Sequence, residues 1–290
     1  MQITFLGTSA AIPTKRRSLP SIHVKLGKTA MLLDCGDGTT KRIVDSGRSI
    51  FKINAVLFSH LHSDHLFGLP ALWNSMSLLK RTRELQIYGP KGTSETIRKL
   101  MDVDSRTIPF EIITNDLEPG DTFEVGNIAI RCVRAKHGVP ALAYRLDAKG
   151  KSMVYTGDTR PAKAIEELSE GADLLIHDST FLSPNDAEKY NHSTPGQAAE
   201  IAKKAGVGKL VLTHFSQKHK NSGDYLEQAK DEFGIVSKYI MNGIRHLGPK
   251  SVYETANEVM NNPHPDLVGF GLAGDELHFP PKLFIKTFDM

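Results

Sequence analysis

The stretch that decides the fold is His60-Leu61-His62-Ser63-Asp64-His65, which follows the apolar run Ala55-Val56-Leu57-Phe58-Ser59. The apolar run predicts a short buried strand, and the polar run places four ligand-type side chains directly after it. A lone histidine beside a strand is more often a core residue, whereas four such side chains this close together favour a metal site. Alternate residues of a strand end point the same way, so we expect His60 and His62 to bind one ion while Asp64 and His65 face a second. Nitrogen and carboxylate ligands without thiolates favour zinc, with manganese, iron or cobalt as substitutes.

Three further ligand candidates stand at the ends of predicted strands. His137 follows the strand over 127–135, Asp158 follows the strand over 152–156, and His214 ends the strand over 209–213. Loops at strand ends tend to meet and to carry function, so these side chains can join the first cluster. Asp158 has two carboxylate oxygens and is expected to bridge both ions. The expected ligands are His60, His62 and His137 for one ion and Asp64, His65 and His214 for the other.

Composition is that of an ordinary soluble enzyme. Of the 290 residues, 40% are hydrophobic and 24% are charged, and the net charge of +3 permits a local basic surface without proving nucleic-acid binding. Cys35 and Cys132 are the only cysteines, and the sequence shows neither a signal-peptide pattern nor an apolar run long enough to span a membrane. We therefore expect a reduced, cytoplasmic protein that does not enter the membrane.

Predicted strands and helices are interleaved, and two sheet-bearing halves follow each other along the chain. This order predicts an α/β fold with helix, sheet, sheet and helix layers, a four-layer αββα sandwich, in a single domain over 1–290. Residues 216–266 differ, because helix-like stretches at 225–233 and 252–261 predict an appended helical segment. Strand-like residues return at 267–270 and 283–288.

Several short motifs resemble those of the ribonuclease Z family, within the metallo-β-lactamase-fold superfamily. They occur in the family's order over residues 1–216. The matching stretches are Phe5-Leu6-Gly7-Thr8, Pro13-Thr14-Lys15, Asp34-Cys35-Gly36, the run over 60–70, Tyr88-Gly89-Pro90-Lys91-Gly92 and Tyr155-Thr156-Gly157-Asp158-Thr159-Arg160-Pro161. The resemblance implies a metallo-β-lactamase-like sandwich.

The resemblance also implies three catalytic residues. Two further matching stretches are His177-Asp178-Ser179-Thr180-Phe181 and His192-Ser193-Thr194. Family members usually carry glutamate where this chain has Asp178, and that carboxylate orients the histidine that matches His192. His192 would then protonate the leaving oxygen or steady the transition-state phosphate, while Asp64 would hold or deprotonate the attacking water. Aspartate keeps the charge of glutamate but has less reach.

The implied function is that of a zinc-dependent endoribonuclease with two zinc ions per chain, which trims the 3′ end of precursor tRNA and works as a homodimer. One departure is that family members commonly insert a long flexible tRNA-binding arm between the residues that match His137 and Asp158, where this chain has only twenty residues. The segment at 216–266 is expected to replace the arm. The alternatives are a phosphodiesterase for small or cyclic phosphodiesters and a catalytically inactive, metal-bearing scaffold that binds RNA or a partner.

Overall fold

The computed structural model describes residues 1–15, 17–103, 108–219, 223–233, 239–244, 248–261, 267–273 and 280–288. The chain divides into two compact units. Unit 1 comprises Met1–Arg42 and Ser49–Ile235, and unit 2 comprises Ile43–Arg48 and Val236–Met290. The single domain expected over 1–290 stays a prediction, because the compactness of each unit does not tell whether the two fold separately.

Unit 1 contains two six-stranded sheets whose strands are neighbours in chain order. The first sheet is antiparallel from β1 to β3 and parallel from β3 to β6, and the second is antiparallel from β7 to β10 and parallel from β10 to β12. The first comprises β1 Gln2–Gly7, β2 Ser21–Leu26, β3 Thr29–Leu33, β4 Ala55–Leu57, β5 Leu85–Pro90 and β6 Ile112–Leu117. The second comprises β7 Thr122–Val125, β8 Ile128–Arg134, β9 Leu142–Ala148, β10 Lys151–Tyr155, β11 Leu174–Asp178 and β12 Leu210–Thr213.

In the described part of the chain, seven α-helices occupy connections between these strands, and an eighth follows β12. They are α1 Thr39–Asp45, α2 Ser63–Leu66, α3 Leu69–Leu78, α4 Thr93–Val103, α5 Lys163–Ser169, α6 Pro184–Tyr190, α7 Pro195–Lys204 and α8 Gly223–Phe233. Helix α7 begins at a capping box, in which the Thr194 hydroxyl accepts from the Gln197 amide and the Gln197 side chain accepts from the Thr194 amide. Such a cap fixes where a helix starts, and here it lies two residues after His192.

The hydrophobic core lies between the two sheets. Leu33 and Leu57 from the first sheet share one buried cluster with Tyr144 and Met153 from the second. Because side chains alternate along a strand, Val154 points the other way and packs in a cluster with residues of α5 and α7. Helix α4 packs on β5 and β6 of the first sheet. The four-layer αββα prediction is confirmed.

Unit 2 contains a parallel pair of strands, β13 Tyr239–Ile244 and β14 Leu267–Ala273, connected through helix α9 Gly248–Asn261. The predicted helices at 225–233 and 252–261 lie within α8 and α9. The segment at 216–266, predicted to be helical, also contains strand β13. The strand predicted at 283–288 is wrong, because a 3-10 helix over Pro281–Phe284 continues into α10 Ile285–Phe288. Short apolar runs do not distinguish strand from helix, and the proline at the helix start favours the helix. Among the described residues, no helix is long and apolar enough to cross a bilayer.

Candidate active site

The predicted site residues converge at the carboxyl ends of the parallel strands. His60 follows β4, Asp158 follows β10 and His214 follows β12. His214 has a φ of 64°, a left-handed conformation that non-glycine residues rarely adopt. Gly157, directly before Asp158, has a φ of 57°, and a β-carbon there would collide with Ser59. The close approach of these two loops therefore requires glycine beside the buried carboxylate.

Six donor side chains form two neighbouring groups. In the first group, His62 Nδ1 lies 2.9 Å from His60 Nε2 and 3.3 Å from His137 Nε2. In the second, His65 Nε2 lies 3.3 Å from His214 Nε2, and Asp64 Oδ2 lies 3.6 Å from each of these nitrogens. The two groups consist of the same side chains that the sequence predicts as the two ligand sets, and each group could hold a metal ion.

Asp158 lies between the two groups. Its Oδ1 is 3.4 Å from His65 Nε2, and its Oδ2 is 3.7 Å from His60 Nε2 and 3.4 Å from His214 Nε2. The carboxylate is buried, and its Oδ1 has no hydrogen-bond partner among the described residues. A buried, unpaired carboxylate oxygen is costly unless a cation balances it. This position suits a carboxylate that bridges two ions.

In four of the histidines, the Nδ1 atom faces away from the donor groups and donates a hydrogen bond to a neighbouring residue. His65 Nδ1 donates to Asp34 Oδ2 at 2.7 Å, and His137 Nδ1 donates to the Asn191 carbonyl at 2.9 Å. His60 Nδ1 contacts the Ser59 hydroxyl at 3.0 Å, which itself donates to Asp34. His214 Nδ1 contacts the Thr180 hydroxyl at 2.8 Å. This network assigns each outer nitrogen its proton and leaves the inner Nε2 as a free ligand.

The donor separations fit a pair of divalent ions. Ligand bonds of about 2.1 Å at tetrahedral angles place neighbouring donors about 3.4 Å apart. The five donor separations given above run from 2.9 Å to 3.6 Å. Several lone pairs directed at one another at these distances repel unless a cation lies among them. Ligand chemistry and spacing thus agree with metal binding.

Burial and mutual charge shift the pKa values of these groups. Burial, followed by the neighbouring His65, holds the pKa of His60 well below its usual value, so this imidazole is neutral. Burial raises the pKa of Asp158, but His214 and His65 outweigh it and hold the pKa well below the usual range. Burial likewise lowers the pKa of His65, and Asp158 and Asp34 outweigh it and raise the pKa well above the usual value. A bound cation would have to displace that proton.

The buried Asp178 and the partly buried His192 form a hydrogen-bonded pair beside the two donor groups. His192 Nδ1 donates to Asp178 Oδ2 at 2.8 Å, so the shorter aspartate does reach the histidine. Asp178 also accepts from the Thr159 amide at 3.0 Å, the Thr180 amide at 2.9 Å and the Thr180 hydroxyl at 2.6 Å. Burial lowers the pKa of His192, but Asp178 outweighs it and raises the pKa to about 9. His192 is therefore protonated at neutral pH and can donate a proton.

All nine predicted site residues supply a donor to at least one ligand-spaced group, and Asp178 does so together with His192 and His214. Sequence reasoning gave no role to Asp34 and Thr180, which hold His65 and His214 in place. Asp34 has a φ of 58°, is fully buried and accepts from Ser59, His65 and Tyr155. The sequence signal that could have indicated a role for Asp34 is its position at the end of a predicted strand, which it shares with Asp158.

Comparison with known proteins identifies the class. The family model described as "Beta-lactamase superfamily domain" matches residues 29–215. Ribonuclease Z of Thermoplasma acidophilum is 33% identical, with 80% of this chain and 92% of the relative covered, and ribonuclease Z of Methanothermobacter thermautotrophicus is 32% identical, with 81% and 93% covered. The crystal structure of human tRNase Z, short form, is 30% identical and superposes with a TM-score of 0.70, covering 75% of this chain and 94% of that one.

These matches place the chain among proteins of the metallo-β-lactamase fold. Within that superfamily, the chain belongs to the ribonuclease Z family. Unit 2 after residue 235 lies outside the segment that the family model matches.

Proposed function

We propose that the chain is a metal-dependent endoribonuclease that processes the 3′ end of precursor tRNA. The observation that carries this proposal is that two groups of potential metal donors and the hydrogen-bonded Asp178–His192 pair lie at the same strand edge. Membership of the ribonuclease Z family supports RNA as the substrate.

Seven residues would hold two zinc ions per chain, with manganese or another divalent metal as a substitute: His60, His62, Asp64, His65, His137, Asp158 and His214. Such ions, when bound, lower the pKa of water towards about 7 and neutralise charge that develops on a phosphate. The homodimer and the cytoplasmic location belong to the same proposal as expectations from the resemblance.

Three residues carry out the remaining chemistry. Asp64 accepts a hydrogen bond from the attacking water, orients it and takes its proton. His192, protonated and held by Asp178, donates a proton from Nε2 to the leaving 3′ oxygen. The mature RNA then ends in a 3′ hydroxyl, and the trailer keeps the phosphate.

A phosphodiesterase for small or cyclic diesters is the second candidate, and one observation favours it. Strands β9 and β10 are joined by a tight turn around Lys149 and Gly150, so no arm lies between His137 and Asp158. The alignment with the T. acidophilum relative is 282 positions long, but only 80% of this 290-residue chain takes part in it. The remaining positions are occupied by the relative alone, so part of that relative has no counterpart here.

One experiment separates the two candidates. The purified, metal-loaded protein is assayed against a 3′-extended precursor tRNA and against bis(p-nitrophenyl) phosphate, with a chelator-treated sample as control. We expect both to be cut, and the tRNA to be cut at one position. Brisk turnover of the small diester with no cut in any precursor, at low salt, would establish the phosphodiesterase instead. If the protein binds metal but cuts neither substrate, the result would support the catalytically inactive, metal-bearing scaffold.

A further inference from the structure

A groove of about 430 Å³ opens beside His137 and takes no part in the chemistry described above. It lies between the sheets, where β5 ends at Pro90, β6 ends at Leu117 and β9 begins at Leu142. Pro90, Leu117 and Leu142 are buried and apolar, and together they are called the floor of the groove. The groove volume is within the range of about 300–1,000 Å³ that small-ligand sites usually have.

The rim of the groove is basic. Lys91, Arg134 and Lys136 line it with exposed side chains, against the single carboxylate of Glu118. An apolar floor with a cationic rim suits a nucleotide, because the base can cover the floor while the phosphate meets the cations. The groove is continuous with the ligand groups, since His137 belongs to both.

The backbone of Lys136 is fixed beside the site. Its amide donates to Thr159 Oγ1 at 3.0 Å, and its carbonyl accepts from the Arg160 amide at 2.8 Å. Among the described residues, no carboxylate lies within ion-pair distance of its ammonium group. Lys136 therefore holds an available positive charge at a defined place next to His137.

A second, smaller cavity of about 260 Å³ lies on the other side of Lys136 and contains His192. Arg160 also lines it, but Arg160 is already paired with Glu188 at 2.6 Å. The proposed function places His192 beside the leaving 3′ oxygen, so the last nucleotide of the mature RNA is assigned to this cavity. The strand on the other side of the phosphate is then assigned to the groove beside His137, which shares Lys136 with this cavity.

We propose that the groove between Pro90, Leu117 and Leu142 binds the single-stranded RNA immediately 3′ of the cut, and that Lys91, Arg134 and Lys136 bind its phosphates. This inference rests on the proposed function and adds a trailer-binding subsite to it. The floor offers apolar contact rather than base-edge hydrogen bonds, so the subsite tolerates any trailer sequence. It also gives the protein a hold on RNA that needs no arm.

The test uses the metal-loaded, full-length protein and a fluorescent, 5′-phosphorylated single-stranded oligoribonucleotide of mixed sequence, which represents a released trailer. The test variant changes Lys91, Arg134 and Lys136 to Gln. The matched control changes Lys149, Lys203 and Lys209 to Gln, which removes the same charge from exposed positions away from the groove. Binding is measured by anisotropy over a range of salt concentrations, and thermal unfolding verifies that both variants are folded.

We expect the test variant to bind the oligonucleotide about tenfold more weakly at low salt, and its log affinity to depend on log salt with a slope smaller by about 2, because each single-strand phosphate contact contributes about 0.7. The control should bind as the unchanged protein does. A Val139→Asp variant, which places a negative charge in the groove, should weaken binding as well.

Equal binding by the test and control variants would overturn the proposal, as would a salt slope that the test variant leaves unaltered. Because the oligonucleotide assay requires no cleavage, failure of the protein to cut precursor tRNA would be seen separately. A second readout is the KM for precursors with a single-nucleotide trailer and with a longer one. The test variant should raise the KM for the longer trailer more, and an equal rise for both would count against the subsite.

Discussion

At the residue scale, one hydroxyl joins the metal ligands to the proposed acid. Thr180 Oγ1 lies 2.8 Å from His214 Nδ1, 3.1 Å from His192 Nδ1 and 2.6 Å from Asp178 Oδ1. It donates to the carboxylate and accepts from His214, which directs His214 Nε2 towards the ligand groups. A hydrogen bond that orients a metal-binding histidine in this way usually contributes a factor of about 10 to 100 in metal affinity.

Thr180→Val removes this hydroxyl while keeping the branched shape, and leaves the buried His214 nitrogen without an acceptor. We expect affinity for divalent metal to fall by about 10- to 100-fold, measured by competition with a chelating dye. Thr180→Ser keeps the hydroxyl and serves as the matched control, with affinity close to that of the unchanged protein. Unaltered metal affinity in the valine variant would show that the hydroxyl does not position His214.

His192→Ala removes the proposed acid from its pair with Asp178. The variant should keep both metals, because the seven other donors remain, yet turn over RNA about 10²- to 10⁴-fold more slowly. The loss should be smaller for bis(p-nitrophenyl) phosphate, whose leaving group needs no proton. Metal content and both rates are measured on the same preparation. If the variant loses a metal ion, His192 is a metal ligand rather than the acid. Its closeness to His137 and Asp158 also permits that role.

The structure brings together the clustered ligand-type side chains that the sequence singled out, whereas sequence reasoning missed residues that act through another residue. His60, His62, Asp64 and His65 share one short run, so spacing alone indicated a metal site. Thr180 is an ordinary threonine in sequence. Only the fold shows that its hydroxyl meets side chains from positions 178, 192 and 214.

At the element scale, helix α8 supports the loop that carries Thr180. Tyr225 is buried, and its hydroxyl donates to the Thr180 carbonyl at 3.0 Å. One turn further along, Gln228 Nε2 donates to the Leu182 carbonyl at 2.9 Å. This part of the segment at 216–266 therefore belongs to the support of the site. Its expected role as a replacement for the arm stays a prediction.

Tyr225→Phe removes only the hydroxyl of this contact. We expect the free energy of unfolding to fall by about 1 kcal/mol, the usual net value of such a hydrogen bond, and RNA cleavage to slow because the loop that carries Thr180 is less fixed. Urea denaturation and kcat are measured, with Tyr253→Phe on the exposed surface of α9 as the control. If both variants unfold at the same urea concentration as the unchanged protein, the hydroxyl does not support the loop.

Element prediction succeeded where the chain carries strong local signals. The alternating residues over 21–26 predict a strand and the residues over 195–205 predict a helix, and β2 and α7 begin at Ser21 and Pro195 as predicted. Helices α5 and α6 and strand β13 were missed, since each is seven residues or fewer and its pattern is weak. The sequence also predicts one helix over 66–79, whereas in the structure α2 ends at Leu66 and α3 begins at Leu69. Gly68 lies at this break, where a β-carbon would collide with the Gly36 carbonyl.

At the scale of the whole molecule, two sheets bring their parallel strand ends to one edge, and ligands separated by more than 150 residues in sequence meet there. The order of strands and helices predicted this sandwich, because interleaved elements in two halves permit few architectures. The sequence did not predict the grooves on either side of Lys136, since they depend on how loops from both sheets meet.

The central claim is that this edge is a metal-dependent site for tRNA 3′ processing, and one measurement tests it most directly. A 3′-extended precursor tRNA is incubated with the protein as purified with metal, after chelation, and after zinc or manganese is restored, and both product ends are mapped. We predict one cut just after the acceptor stem, a 3′ hydroxyl on the tRNA, complete loss of cleavage on chelation and recovery with about two ions per chain. Full cleavage by the chelated protein, or no cleavage with both ions bound, would contradict this account.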